Sequence, residues 1–119
     1  MKPGFQPAVL LDLSAALDRI GGDEELLREI AGLFLAEYPI LLQDIRIAVE
    51  RGDAEALERG AHSLKGSVAN FEARLAFEAA LTLEAMGRTR NLDRAPSALT
   101  ELEAVLRALR LELISLSNQ

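Results

Sequence analysis

The chain has 119 residues, no cysteine and a formal net charge of −6 at pH 7, with half its positions hydrophobic. That length suits one domain whose core needs no disulfide, and the missing cysteines exclude thiol redox chemistry and thiolate metal sites. The acidic balance argues against nucleic acid as a partner, and no apolar run approaches the roughly 20 residues that cross a bilayer, so a cytoplasmic protein without membrane contact is expected.

Leucine and alanine, at 23 and 19 positions, outweigh the 13 Val, Ile and Thr together, a balance that favours helix over strand. Residues 1–8, with Pro3, Gly4 and Pro7, read as an N-terminal tail, and 9–119 as the domain. The stretch from Asp12 to Ile20 reads as a short helix stopped by Gly21 and Gly22. Asp23 then stands as an N-cap, with Glu24 and Glu25 in the first turn of a long helix ending at Glu50 or Arg51. Leu26, Ile30, Leu33, Phe34, Leu41, Ile45 and Val49 form its expected buried stripe, and Pro39 is expected to kink it.

Gly52 and Asp53 supply a stop and a new cap for a third helix, whose apolar positions Leu57, Ala61, Leu64 and Val68 repeat at bundle-core spacing. A break near Asn70, Phe71 and Glu72 leads to a fourth helix from about Ala73 to Met86, closed by Gly87. It is apolar over most of its circumference and is expected to be central. Arg88–Arg94 reads as a polar loop, and Pro96 suits the first turn of a last helix with the face Leu99, Leu102, Leu106, Leu109 and Leu113. Short connections between long amphipathic helices make neighbours antiparallel, so the expected fold is all-α: an up-down four-helix bundle with a short additional N-terminal helix.

His62 is the only histidine. At about 100° per residue it projects roughly 130° away from the apolar stripe of its helix, and so faces solvent. Lys65 and Gly66 follow it by three and four residues and share its part of the surface. A mid-helix glycine costs about 1 kcal/mol relative to alanine, and clearing space beside the ring is a physical reason to accept it. A lysine one turn from an exposed imidazole puts positive charge where a phosphoryl group would bring negative charge. Singly, each of these residues is better explained by solvation or packing; together they point to phosphoryl transfer.

The segment Ala61-His-Ser-Leu-Lys-Gly-Ser-Val-Ala-Asn70 resembles the signature of the histidine-phosphotransfer (HPt) domains of bacterial and eukaryotic phosphorelays. The resemblance extends to the Leu33–Leu42 stretch with Tyr38 and Pro39 and to the order of helices. It implies that His62 is the phospho-acceptor, Lys65 the neighbouring positive charge and Gly66 the opening for a docking receiver domain. It departs from the family at Glu72, where a glycine is common and the chain turns into the next helix.

The same resemblance brings a Gln or Glu of the following helix against the histidine, and Glu84 falls at that offset. Ala73, Phe77 and Ala80 lead inward to it, so an acid closes an apolar row. Accepting a hydrogen bond from Nδ1–H would fix the tautomer and leave Nε2 as nucleophile. Arg59, Ser63 and Ser67 are candidates for the same docking surface, and Arg88, Arg90 and Arg94 for steering an acidic partner.

No Gly-rich phosphate loop of the Walker type is present. The expectation is therefore a carrier without ATP-dependent kinase activity, holding no metal or cofactor and acting as a monomer. It would exchange phosphoryl groups with aspartates of receiver domains in response regulators or hybrid kinases, the receiver supplying Mg²⁺. The competing reading is an adaptor bundle with a silent histidine. A metal-dependent enzyme would need paired Glu-x-x-His elements, which a lone histidine does not provide.

Overall fold

The computed structural model describes residues 10–118, which form five helices: α1 (Leu13–Arg19), α2 (Glu24–Arg51), α3 (Ala54–Ala69), α4 (Arg74–Thr89) and α5 (Ala95–Ser117). The segment 1–8, read as a tail, lies outside the described residues. No helix among the described residues is long and apolar enough to cross a membrane.

Local chemistry sets most helix ends. Asp12, Asp23 and Asp53 each accept a hydrogen bond from the backbone N–H three residues on, at 3.1, 3.0 and 3.0 Å, satisfying one free donor of α1, α2 and α3. Gly52 closes α2 in the left-handed conformation, with φ of 64°. Pro39 is exposed within α2, which continues through it.

The helices pack in the order α2, α3, α4, α5, with α5 returning against α2 and α1 resting on α2. Gly32 faces Ser117 while Arg46 pairs with Glu103, and Glu58 pairs with Arg88 while His62 pairs with Glu84. In both sets one number rises as the other falls, so α2 and α5, and α3 and α4, are antiparallel. The core holds Leu57, Ala61, Leu64 and Val68 of α3 and Leu102, Leu106, Leu109 and Leu113 of α5, all fully buried or nearly so, with Leu99 at its margin. Each leucine so buried contributes roughly 2 kcal/mol by leaving water.

The α2 stripe differs from its sequence reading. The buried residues are Leu27, Ala31, Phe34, Tyr38, Leu42, Ile45 and Ala48, so only Phe34 and Ile45 belong to both sets. Leu26 and Leu33 are exposed, and Ile30, Leu41 and Val49 are half-buried. Apolar residues stand side by side at 26–27, 33–35 and 40–42, and periodicity alone does not choose between adjacent ones. Packing selects the face whose small Ala31 and Ala48 let the neighbouring helices approach.

The turn after α3 is a second correction. Phe71, read as part of a break, is fully buried and meets Phe34 edge-on at 5.6 Å, and Phe34 in turn stacks on Tyr38 at 5.2 Å. Burying Phe71 leaves Glu72 in the left-handed region, with φ of 51°. There a glycine would be free of strain, whereas a side chain is not. The Glu72 carboxylate accepts from Arg19 of α1 at 2.7 Å, and Asp12 N–H donates to Phe71 C=O at 3.2 Å, so the turn and α1 hold one another.

Nor does α4 end at Gly87. It runs to Thr89 and is closed by Arg90 with φ of 61°, leaving Gly87 buried inside the helix. Thus Arg88 is helical and the connection to α5 starts at Arg90. With Glu78, Leu81, Thr82, Arg88 and Thr89 exposed, α4 is one wall of the bundle and not a central helix.

Candidate functional site

The α3–α4 interface is the most extensive in the bundle, and the candidate site lies on its outer edge. Leu57, Ala61, Leu64 and Val68 anchor the inner face of α3, which turns His62 outward: its side chain is 68% exposed. Across the interface, α4 buries Ala76, Ala80 and Leu83, and the same face carries Glu84, whose side chain is only 6% exposed.

Among the described residues Glu84 is the one buried polar or charged side chain, and it is surrounded by cations. His62 Nδ1 lies 2.7 Å from Glu84 Oε2, and Lys65 Nζ lies 2.7 Å from Oε1. The lysine contact is an ion pair without the angular geometry of a hydrogen bond, which leaves Oε1 with a charge partner but no aligned donor. Arg88, one turn beyond Glu84, brings Nη2 to 3.9 Å from Oε2 and Nε to 3.7 Å from Glu58 Oε2.

The Lys65 ammonium is the main cause of a Glu84 carboxyl held below the ordinary carboxylate range; burial pushes the other way, and the His62 hydrogen bond adds to the lowering. At neutral pH Glu84 is therefore a carboxylate, an acceptor only, so the nitrogen facing it is the protonated one. His62 Nδ1–H donates, so in the neutral ring the lone pair lies on Nε2. That is the state of an imidazole ready to act as a nucleophile.

His62, Lys65 and Glu84 are thus brought together as the sequence suggested. Lys65 is only 20% exposed, with Nζ 5.8 Å from the centre of the Phe77 ring, so it is drawn inward to Glu84 rather than standing free beside the imidazole. The other α3 candidates are less committed. Arg59 pairs along its own helix with Glu55 at 3.3 Å, both highly exposed, and Ser67 donates back to Ser63 C=O at 3.1 Å. At Gly66 an added Cβ would meet nothing within 4 Å. The basic loop divides: Arg88 joins the site, while Arg90 and Arg94 line separate shallow hollows on other parts of the surface. The place of Arg88 was legible only as an i, i+4 partner of Glu84, a spacing hidden by reading Gly87 as a helix end.

The Hpt domain family model matches residues 29–112 of the chain. Among solved structures, the crystal structure of histidine-containing phosphotransfer protein B (HptB) from Pseudomonas aeruginosa PAO1 is similar over 94% of this chain and 97% of that one, with 26% identity and a TM-score of 0.85. No curated protein sequence matches the chain.

Proposed function

The chain belongs to the Hpt domain family, and with histidine phosphotransfer in a phosphorelay as its role, we propose that His62 is the residue that carries the phosphoryl group. The observation that carries this reading is the 2.7 Å hydrogen bond from His62 Nδ1 to the buried Glu84 on a ring that is otherwise exposed. The donors and acceptors are aspartates of receiver domains, and the chain has no kinase activity of its own.

In the forward step the Nε2 lone pair attacks phosphorus in line. The Nε2–P bond forms, the bond from phosphorus to the aspartyl oxygen breaks, and the electron pair leaves on the receiver's carboxylate. The Nδ1 proton stays where it is, because Glu84 stabilises the positive charge the ring acquires. Return to a second receiver reverses each bond change, so one hydrogen bond serves both directions without a proton leaving the site. Lys65 keeps Glu84 ionised, and with Arg88 it offsets the carboxylate's charge near an incoming phosphoryl group. Gly66 leaves open the surface beside the ring, and Arg59, Ser63 and Ser67 line the helix around it as contacts for the receiver.

The domain on this reading spans 9–119, follows a tail at 1–8 and works as a monomer. The test is phosphoryl transfer from Mg²⁺-loaded, prephosphorylated receiver domains to the wild type and to His62→Gln. Acid-labile, alkali-stable label on the wild type alone is expected. Equal label on His62→Gln would move the acceptor elsewhere, and no label from any receiver would favour the adaptor reading.

A further inference from the structure

We propose that Gly87 is a positioning residue of the site: its lack of a side chain sets the distance between α3 and α4 at which Glu84 reaches both His62 and Lys65. The inference rests on the reading of His62 given above, and adds a residue that touches none of the reacting atoms.

Gly87 is buried in the α3–α4 crossing. A Cβ there would stand 2.6 Å from Ala54 C=O, 2.7 Å from Glu58 N and 3.0 Å from Glu58 Cα. All three are backbone atoms of α3, which no change of rotamer moves aside. Ordinary contact begins at 3.4 Å, so the closest of these gaps would have to open from 2.6 Å by most of an ångström. Helices are stiff, so the opening is shared along the crossing.

The crossing and the site are close neighbours. Glu58 precedes His62 by four residues and Gly87 follows Glu84 by three, so on each helix the contact lies about one turn, roughly 5 Å, from the pair. Both Glu84 oxygens are engaged at 2.7 Å, one by each of the two α3 side chains. A hydrogen bond lengthened from 2.7 Å by most of an ångström is no longer one, and the buried carboxylate has little room to follow both partners. Helix propensity alone favours alanine over glycine at such a position, so glycine here is set by the neighbouring backbone.

Gly32 provides the control, because a Cβ at this position of α2 would lie at an ordinary 3.7 Å from Ser117 Oγ, away from the site. In Gly87→Ala the downfield Nδ1–H proton resonance of His62 is expected to vanish or move upfield, and the rate of phosphoryl transfer to fall at least tenfold at a temperature where the variant is folded. Gly32→Ala should keep both. Because Gly87 acts through Glu84, Gly87→Ala should slow transfer little further in a Glu84→Ala background. Glu84→Asp, which withdraws the carboxylate by one methylene with both helices native, should lose the same resonance and keeps the question answerable if Gly87→Ala does not fold. A native resonance and rate in folded Gly87→Ala, or in Glu84→Asp, overturns the proposal. If the wild type and Gly32→Ala accept no phosphoryl group, it is instead the reading of His62 that falls.

Discussion

The two sides of α3 next to His62 each meet a glycine, and they use it in opposite ways. On the outer side, Gly66 faces open space, and an added Cβ would touch nothing within 4 Å. On the side turned to α4, Gly87 is so tightly enclosed that a Cβ would come within 2.6 Å of α3 backbone. Nothing among the described residues requires the first glycine, and on the proposed reading its reason is the receiver that approaches from outside. The second is required by the chain itself. A glycine inside a helix therefore has no fixed meaning until its surroundings are known.

The sharpest break in this comparison is at His62, between the two glycines. With its side chain 68% exposed and one hydrogen bond to the buried Glu84, His62→Gln should cost no more than about 1.5 kcal/mol and leave the domain folded. It should nevertheless abolish phosphoryl acceptance, checked by label transfer beside a urea melt. Loss of the fold together with the label would mean that the imidazole is structural.

Gly87→Ala should have the next largest effect. An overpacking cost of about 1–3 kcal/mol should outweigh the helix-propensity gain of about 1 kcal/mol, for a net loss of up to about 2 kcal/mol in urea unfolding. A stabilised Gly87→Ala protein would show that α3 and α4 separate freely.

Glu84→Gln tests the inner side by charge rather than by volume. It should lower stability at neutral pH by about 1–2 kcal/mol, because Lys65 and His62 lose an ionised partner in a poorly solvated place. The Glu84 carboxyl is depressed in the folded state, chiefly by Lys65, so its contribution is fully present above the unfolded glutamate value of about 4.3. It is lost as pH falls from there through the lower folded value. Melts of wild type and variant should therefore differ at neutral pH and converge in acid; a gap that persists at the acid end would assign the effect to shape instead of charge.

The smallest effect on the fold is expected on the outer side. Gly66→Ala should raise stability by up to about 1 kcal/mol, since the helix gains propensity and nothing is displaced. Transfer from a receiver should slow all the same, through weaker docking. If stability rises and transfer is unchanged, the open surface at Gly66 is not where the receiver sits.

Much of this molecule was legible along the chain. Glu84 was reached only through the resemblance to the family, but the helix order, the aspartate caps at positions 12, 23 and 53, the stop at Gly52, the core rows of α3 and α5, and the outward His62 with Lys65 beside it all follow from sequence. These features depend on hydrogen bonds and periodicities that close within one or two helical turns, where the interacting residues are neighbours in sequence.

Tertiary structure decided the rest. It chose Leu27 over Leu26 and Ala31 and Ala48 over Leu33 and Val49 on α2, placed Phe71 in the core, made Gly87 a point of close approach instead of a helix end, and drew Lys65 and Arg88 to Glu84. In each case several local arrangements satisfy the backbone equally well. What separates them is the surface that a helix distant in sequence presents, and a reading of one helix at a time does not contain that surface.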